Sequence, residues 1–357
     1  MCKHDDEERM LDSTWTIEEL KEAIKQGYKI IEIYEIYNYN VTSNELLDGF
    51  INMWLKIKQE SSDWPSWCQS EADKQKYIES YEEHENIKLN YNNIRKNPGL
   101  RYIAKIMLNS FWGKFAQRPN LPKTEIVTSC NKFWELDKNE DIEILYCFMM
   151  SEDVMIVNWK YKEDNMATVK NYNLAIASYV TAYARLELYR LMTRIENLRS
   201  GSLLYFDTDS VQYVEHKDDV KVKTGDFLGE LTDEIPNDEV CIEFVALGPK
   251  SYGNITKNKV TGKLKTSLKI KGIYLNEMTE NVVSFESIRL MAEEYLEWKE
   301  KIEYKVPQCQ IRCDRHEILK TLNLEKVLRV TSDKRKIKDC LTYPYGYIYD
   351  ENEMAIV

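Results

Sequence analysis

The chain has 357 residues, of which 31% are charged and 43% apolar, with a formal net charge of −11. The length allows two or three domains with a sizeable core. The acidity excludes a uniformly basic nucleic-acid binder, although phosphate affinity depends on local Lys/Arg surfaces rather than on net charge.

No apolar run approaches the ~20 residues of a membrane span, so no membrane partner is expected. The start, Met1 to Arg9, lacks a signal-peptide pattern. Eight scattered cysteines form no disulfide framework, which points to an intracellular, reducing compartment. Cys309, Cys313 and His316 make half a zinc pattern with no second pair at a matching distance.

In chain order, Thr16 to Lys25 has helical spacing, with Thr14 or Thr16 as cap and Gly27 as stop. Tyr28 to Tyr37, rich in β-branched and aromatic residues, reads as a strand. Asn44 to Lys58 returns to helical spacing, Ser61 to Ser66 is a loop, and residues 71–95 read as a charged helix ending at Lys96-Asn-Pro-Gly99. The next stretch, Leu100 to Phe115, is helical at least to Asn109. Arg101, Lys105, Asn109 and Trp112 fall on one stripe, with Ile103, Ile106, Met107 and Ser110 assigned mostly to a core-facing side. Two cations, an amide and an aromatic ring can meet a nucleotide along its length. A solvated basic face is the plainer alternative.

Glu125 to Tyr161 mixes strand and loop around a polar excursion at 137–143. Asn173 to Met192 is a mostly apolar helix, read as packing beneath the sheet that follows. Leu203 to Phe206 leads into Asp207 and Asp209, and Val211 to Val214 leads out, giving strand, turn and strand with two carboxylates at the tip. Such a tip can bind a hard cation such as Mg²⁺, or be no more than a solvated turn. Further on comes Gly248-Pro-Lys-Ser-Tyr252. No Asp or Glu occurs between Ala246 and Asn276, while Lys257, Lys259, Lys263, Lys265, Lys269 and Lys271 do. That local reversal marks a phosphate-facing surface, or else a lysine-rich hairpin turning at Thr261-Gly262 and blunting a sheet edge. Ser284 to Glu300 is an amphipathic helix, and residues 305–345 read as irregular, with a basic cluster at Lys334-Arg-Lys336.

Three strings carry a resemblance. Tyr205-Phe-Asp-Thr-Asp-Ser210 resembles motif C of the family B DNA polymerases. Lys105-x₃-Asn109-Ser-x-Trp112-Gly113-x-Phe115 is similar to their motif B, with Trp112 where Tyr is usual, which leaves ring packing in place and removes a phenol. Lys250-Ser-Tyr252 resembles their K-x-Y element. The order and spacing look most like the protein-primed branch found in linear plasmids, viruses and Polinton-type elements.

The resemblance implies an α+β fold with a polymerase palm built on an antiparallel catalytic sheet, helical fingers and a small thumb. It divides the chain into residues 1–75 (partial palm or insertion), 76–120 (fingers with motif B), 121–275 (palm) and 276–357 (thumb and tail). It implies template-directed nucleotidyl transfer with a two-metal Mg²⁺ site, Asp209 and Asp207 being the catalytic and metal-binding residues. Arg101, Lys105, Asn109, Trp112 and Gly113 would bind the incoming nucleotide, and Lys250, Tyr252, Lys257 and Lys259 the DNA. The partners implied are a DNA template-primer, dNTPs and a terminal priming protein. No D-x-x-S-L-Y-P string, the family's motif A, precedes Lys105; Asp339 to Pro344 is one residue short and on the wrong side of motif C. The expectation is therefore a C-terminal polymerase portion that does not polymerise alone. The alternatives are an inactive mobile-element remnant that binds DNA or a partner, and an unrelated metal-dependent nuclease, against which motif B argues.

Overall fold

The computed structural model describes residues 10–117, 120–162, 172–217, 222–298, 302–312, 320–331, 335–338 and 341–344. Cys313, His316, Asp339 and Lys334, named in the sequence reading, lie outside these residues. The fold is α+β, with every named strand pair antiparallel. The chain divides into two compact units, one of residues 16–186, the other of residues from 187 onward with residues 10–15.

The first unit opens with α1 (Ile17–Lys25), whose N-cap is Thr16, its hydroxyl accepting from the Glu19 N–H. The expected strand at 28–37 does not form: the segment belongs to no sheet among the described residues, and Ile31, Tyr34 and Ile36 are each 76% exposed. β-branched and aromatic residues favour strands only when a neighbouring strand supplies the ladder and the packing. Helix α2 (Asp48–Glu60) is followed by α3 (Glu71–Glu85), which stops ten residues before the expected end. Asn86 takes the left-handed conformation and closes it, and a 3₁₀ turn (Tyr91–Asn93) follows. Buried Glu60 organises that turn, accepting from the Asn90 N–H at 2.6 Å and from the Asn93 amide at 3.1 Å.

Pro98 at the first turn and Asn97 as cap start α4 (Pro98–Lys114). Helix α4 runs five residues beyond Asn109. Its inward side is Ala104, Met107, Leu108 and Phe111, with Phe111 stacked on Phe50 at 3.9 Å. Ile103 and Ile106, expected mostly on the core side, are instead exposed, 51% and 44%: the apolar stripe facing α2 is narrower than the number of apolar residues implies.

The mixed stretch after α4 resolves into β1 (Lys123–Val127), α5 (Cys130–Asp137), β2 (Ile142–Ser151) and β3 (Val154–Tyr161), in the sheet order β1-β3-β2. Val127, Leu136, Ile142 and Val157 form its small core. Helix α6 (Leu174–Leu198) extends six residues past the expected end and crosses from the first unit into the second.

In the second unit β4 (Leu203–Asp207) pairs with β5 (Ser210–Tyr213) as expected. A three-stranded meander follows, of β6 (Glu239–Gly248), β7 (Ser251–Asn258) and β8 (Leu264–Lys269). Short α7 (Glu277–Glu280) precedes α8 (Phe285–Trp298). The stretch 305–345, expected to be irregular, instead holds a ten-residue ladder, β9 (Glu303–Arg312) against β10 (Lys320–Arg329), and a shorter pair, β11 (Arg335–Lys338) with β12 (Leu341–Pro344). Polar residues on the outward positions hide the alternation that buries Val306 and Leu328. Those two join Leu247, Val283, Phe285, Ile288 and Met291 in the main core of this unit. Full burial of a side chain such as Ile288 contributes on the order of 2 kcal/mol.

Candidate functional site: a carboxylate hairpin with its lysine, and a separate cation cluster

The hairpin places its two carboxylates through backbone geometry. Asp207 pairs with Ser210, leaving Thr208 and Asp209 as the turn, with Thr208 at φ 55°. The Asp209 N–H donates to the Asp207 carbonyl at 2.6 Å. The entry to β4 is tied down by Glu196 near the end of α6. Its carboxylate accepts from the Gly201 and Leu203 N–H groups, both at 2.9 Å, and these two bonds hold it below the ordinary carboxylate value of 4.5. A depressed carboxylate stabilises the fold above its unfolded pKa, and the contribution is lost as pH falls through the folded value. Glu196→Gln is therefore expected to lower stability near neutral pH, with the gap to the wild type closing as pH falls from above the ordinary carboxylate value of 4.5 through the lower folded value. Paired denaturation curves across that range check it, and a gap independent of pH contradicts it.

The K-x-Y segment meets this hairpin. Gly248 pairs with Ser251, so Pro249 and Lys250 form the turn between β6 and β7, proline first and a residue at φ 59° second. The Lys250 N–H donates to the Tyr205 hydroxyl at 2.8 Å. Its ammonium donates to both Asp207 oxygens, at 2.9 and 2.8 Å, and that bond is the main reason its pKa is raised. A left-handed backbone at a non-glycine residue costs ~1–2 kcal/mol, so the site holds its lysine in a strained turn. Tyr205, Phe244 and Tyr252 form an aromatic floor, with ring centroids 5.0–6.0 Å apart. Lys269 sits over the Tyr252 ring at 5.6 Å, its pKa raised first by the Tyr252 hydroxyl.

The fit of this tip to a metal ion is partial. Among the described residues no cluster of three or more His, Cys, Asp or Glu side chains could hold one. Asp209 is exposed and Asp207 is engaged by Lys250. Mg²⁺ is commonly held by one or two carboxylates together with substrate phosphates, and Asp209 suits that arrangement.

The motif B residues stand in the other unit, on α4. Arg101, Lys105, Asn109 and Trp112 are all exposed along one stripe, as the spacing predicted. Gly113 helps to line a cavity of about 430 Å³ with Phe50, Met107, Ser110 and Phe111. The structure adds a residue that the sequence reading missed. Lys58, half-buried on α2, has its pKa lowered first by burial and then by the charges of Arg101 and Lys105. None of these three cations makes an ion pair with a carboxylate among the described residues, and the Arg101 Nε donates to the Ser62 hydroxyl at 3.0 Å. Three cations close enough to affect one another, with no carboxylate paired to them among the described residues, can bind an anion. Lys58 carries no motif in the sequence; only the packing of α2 on α4 could expose it.

Lys257 and Lys259 lie beyond the hairpin. Lys259 donates to the Asn237 carbonyl at 2.7 Å, and Lys257 is exposed at the end of β7. The five cysteines among the described residues, Cys68, Cys130, Cys147, Cys241 and Cys309, are unbridged. No helix among the described residues is long and apolar enough to cross a membrane.

Comparison with known proteins finds a family match over the segment that holds Lys105 to Phe115. Residues 71–198 match the family model of DNA polymerase type B, organellar and viral. The chain is also 24% identical over 289 residues to a probable DNA polymerase of Neurospora intermedia, an alignment covering 80% of this chain and 24% of that protein. The chain thus spans about a quarter of that relative's length. No solved structure matches.

Proposed function

We propose, for a chain bearing the organellar and viral type B DNA polymerase match, that it is the nucleotide- and primer-gripping part of a protein-primed DNA polymerase. Its reaction class is template-directed transfer of a nucleotide to a DNA primer, with dNTPs as substrates and a terminal priming protein as partner. The observation that carries this reading is the meeting of two motifs 43 residues apart, Lys250 on Asp207, above the Tyr205–Tyr252 floor. Palm, fingers and thumb then correspond to residues 121–275, 76–120 and 276–357, with residues 1–75 as partial palm or insertion.

In this reading Lys58, Arg101 and Lys105 bind the triphosphate, and Asn109, Trp112 and Gly113 pack its sugar and base. Lys250 and Tyr252 hold the primer strand, and Lys257 and Lys259 add charge further along the DNA. Asp209, seconded by Asp207, would hold Mg²⁺, which neutralises charge on the reacting phosphate when bound. The chain's own contribution is positioning: cations that orient the leaving phosphates and a lysine that fixes the primer end.

Nucleotide binding tests it. The chain is expected to bind Mg·dNTP, and Lys105→Ala or Lys58→Ala each to weaken that binding by about 10- to 100-fold, the range for loss of one charged hydrogen bond. Dye-displacement or calorimetric titration measures this; unchanged affinity in both variants would sink the assignment. The isolated 357-residue chain is expected not to extend a primed template, for want of a further metal-binding carboxylate beside Asp207 and Asp209, the one that motif A supplies in the family. A second reading, a binder of DNA without chemistry, is favoured by the engagement of Asp207 with Lys250. It predicts DNA binding with no response to Mg²⁺.

A further inference from the structure

The β6-β7-β8 sheet has two unlike faces. A Cβ at Gly253 would meet Leu268, Phe285 and Ile288 at 3.0–3.2 Å, and Ile255 packs on the same core. Those residues of β7 face α8. Strand alternation sends Tyr252, Asn254 and Thr256 to the opposite face. In the β7–β8 ladder these three stand directly across from Lys269, Ser267 and Lys265, and residues so paired share a face. The Lys269 ammonium over the Tyr252 ring shows the same arrangement from the side chains. Lys265, Ser267 and Lys269 are all exposed. Lys257 pairs with Leu264 and falls on the α8 face by the same alternation.

One end of the open face is the Asp207–Lys250 pair beside Tyr252. The other closes at Thr256, whose hydroxyl donates to the Glu239 carboxylate at 2.6 Å. Between them lie lysine, serine, asparagine and tyrosine, all able to donate to phosphate or to stack on a base, with no acidic residue from 247 to 275 in a chain of net charge −11. The carboxylates whose charge reaches Lys269 are Glu234 and Asp207. Lys265 and Lys269 are four residues apart, roughly 13 Å along a strand at ~3.3 Å per residue. That separation exceeds the ~3.4 Å axial rise per nucleotide of a DNA strand, so the two ammoniums can contact different phosphates of one strand.

We propose that this face, formed by Tyr252, Lys269, Ser267 and Lys265, is a track for the sugar-phosphate backbone of one nucleic-acid strand leading away from the Asp207–Asp209 tip, with Lys265 and Lys269 as its phosphate contacts. The proposal rests on the polymerase reading and deepens it: within the lysine-rich stretch, the contacts of this track are the lysines on the Tyr252 face of the β7–β8 ladder.

The experiment is binding of a fluorescent primer-template DNA by the full chain, measured by anisotropy across a salt series. The Lys265→Gln, Lys269→Gln double variant is expected to bind at least ten-fold more weakly at low salt. The slope of log affinity against log salt should fall by about 1.4–1.8, two contacts at ~0.7–0.9 each. Lys305→Gln, at an exposed lysine of β9 outside this sheet, should leave the slope unchanged, and the double Lys→Arg variant should restore it. Equal slopes in the wild type and the double Gln variant, or the same loss in Lys305→Gln, overturn the track while leaving DNA binding and the polymerase reading in place. A wild-type chain that binds no DNA overturns the track as well. In that case the separate Mg·dNTP titration tells whether the polymerase reading falls with it.

Discussion

Gly248→Ala is expected to destabilise the unit that contains it by ~2–5 kcal/mol, the sum of a left-handed backbone penalty and an overpacking cost. Gly248 sits at φ 140°, and a Cβ there would run into the backbone carbonyl of Thr331. That neighbour cannot step aside, because the Thr331 N–H donates to the Leu247 carbonyl at 2.6 Å and ties the chain after β10 to β6. The same glycine immediately precedes the turn that carries Lys250, so the substitution is also expected to pull the ammonium off Asp207 and weaken DNA binding. Denaturant unfolding and DNA titration on the one variant measure both effects. A stability within ~0.5 kcal/mol of the wild type, the range of ordinary surface changes, would show that the approach to Thr331 is not as tight as described.

Asp209→Asn is expected to lower Mn²⁺ affinity, measured by paramagnetic titration with DNA and dNTP present, by about 10- to 100-fold, the cost of removing one charged ligand. Asp207→Asn is expected to cost much less in metal affinity, because Lys250 already neutralises that carboxylate at 2.8 Å. Its main effect should fall on DNA affinity through a released Lys250. Equal losses of Mn²⁺ affinity in the two variants would mean that Lys250 leaves Asp207 when metal and nucleotide bind, and that both carboxylates serve as ligands.

Much of the local structure was legible in the residues themselves. Thr16 caps α1 as its side chain dictates, and Thr208 and Asp209 turn the β4–β5 hairpin, whereas Asn97 and Pro98, expected only as a breaker ahead of Leu100, cap and start α4 themselves. The stripe Arg101, Lys105, Asn109 and Trp112 is exposed because 3.6-residue periodicity is a property of the chain alone. What failed needed a partner elsewhere. Tyr28 to Tyr37 has strand composition and finds no ladder among the described residues, while residues 305–345, expected to be irregular, include most of the ladder of β9 with β10. A strand is made by its neighbour, and pairing is not written in either strand by itself.

The site divides along the same line. The order of the three motifs determined the family resemblance, and the acid-free stretch 247–275 determined where positive charge collects, since both depend only on which residues follow which. That Lys250 stands on Asp207, that Lys58 joins Arg101 and Lys105, and that Lys269 shares a face with Tyr252 while Lys257 does not were decided by tertiary structure. Each is a contact between residues well apart in the chain. Electrostatic attraction and repulsion depend on distance through space, which the packing of α2 on α4 and of β7 on β8 sets and the linear order does not.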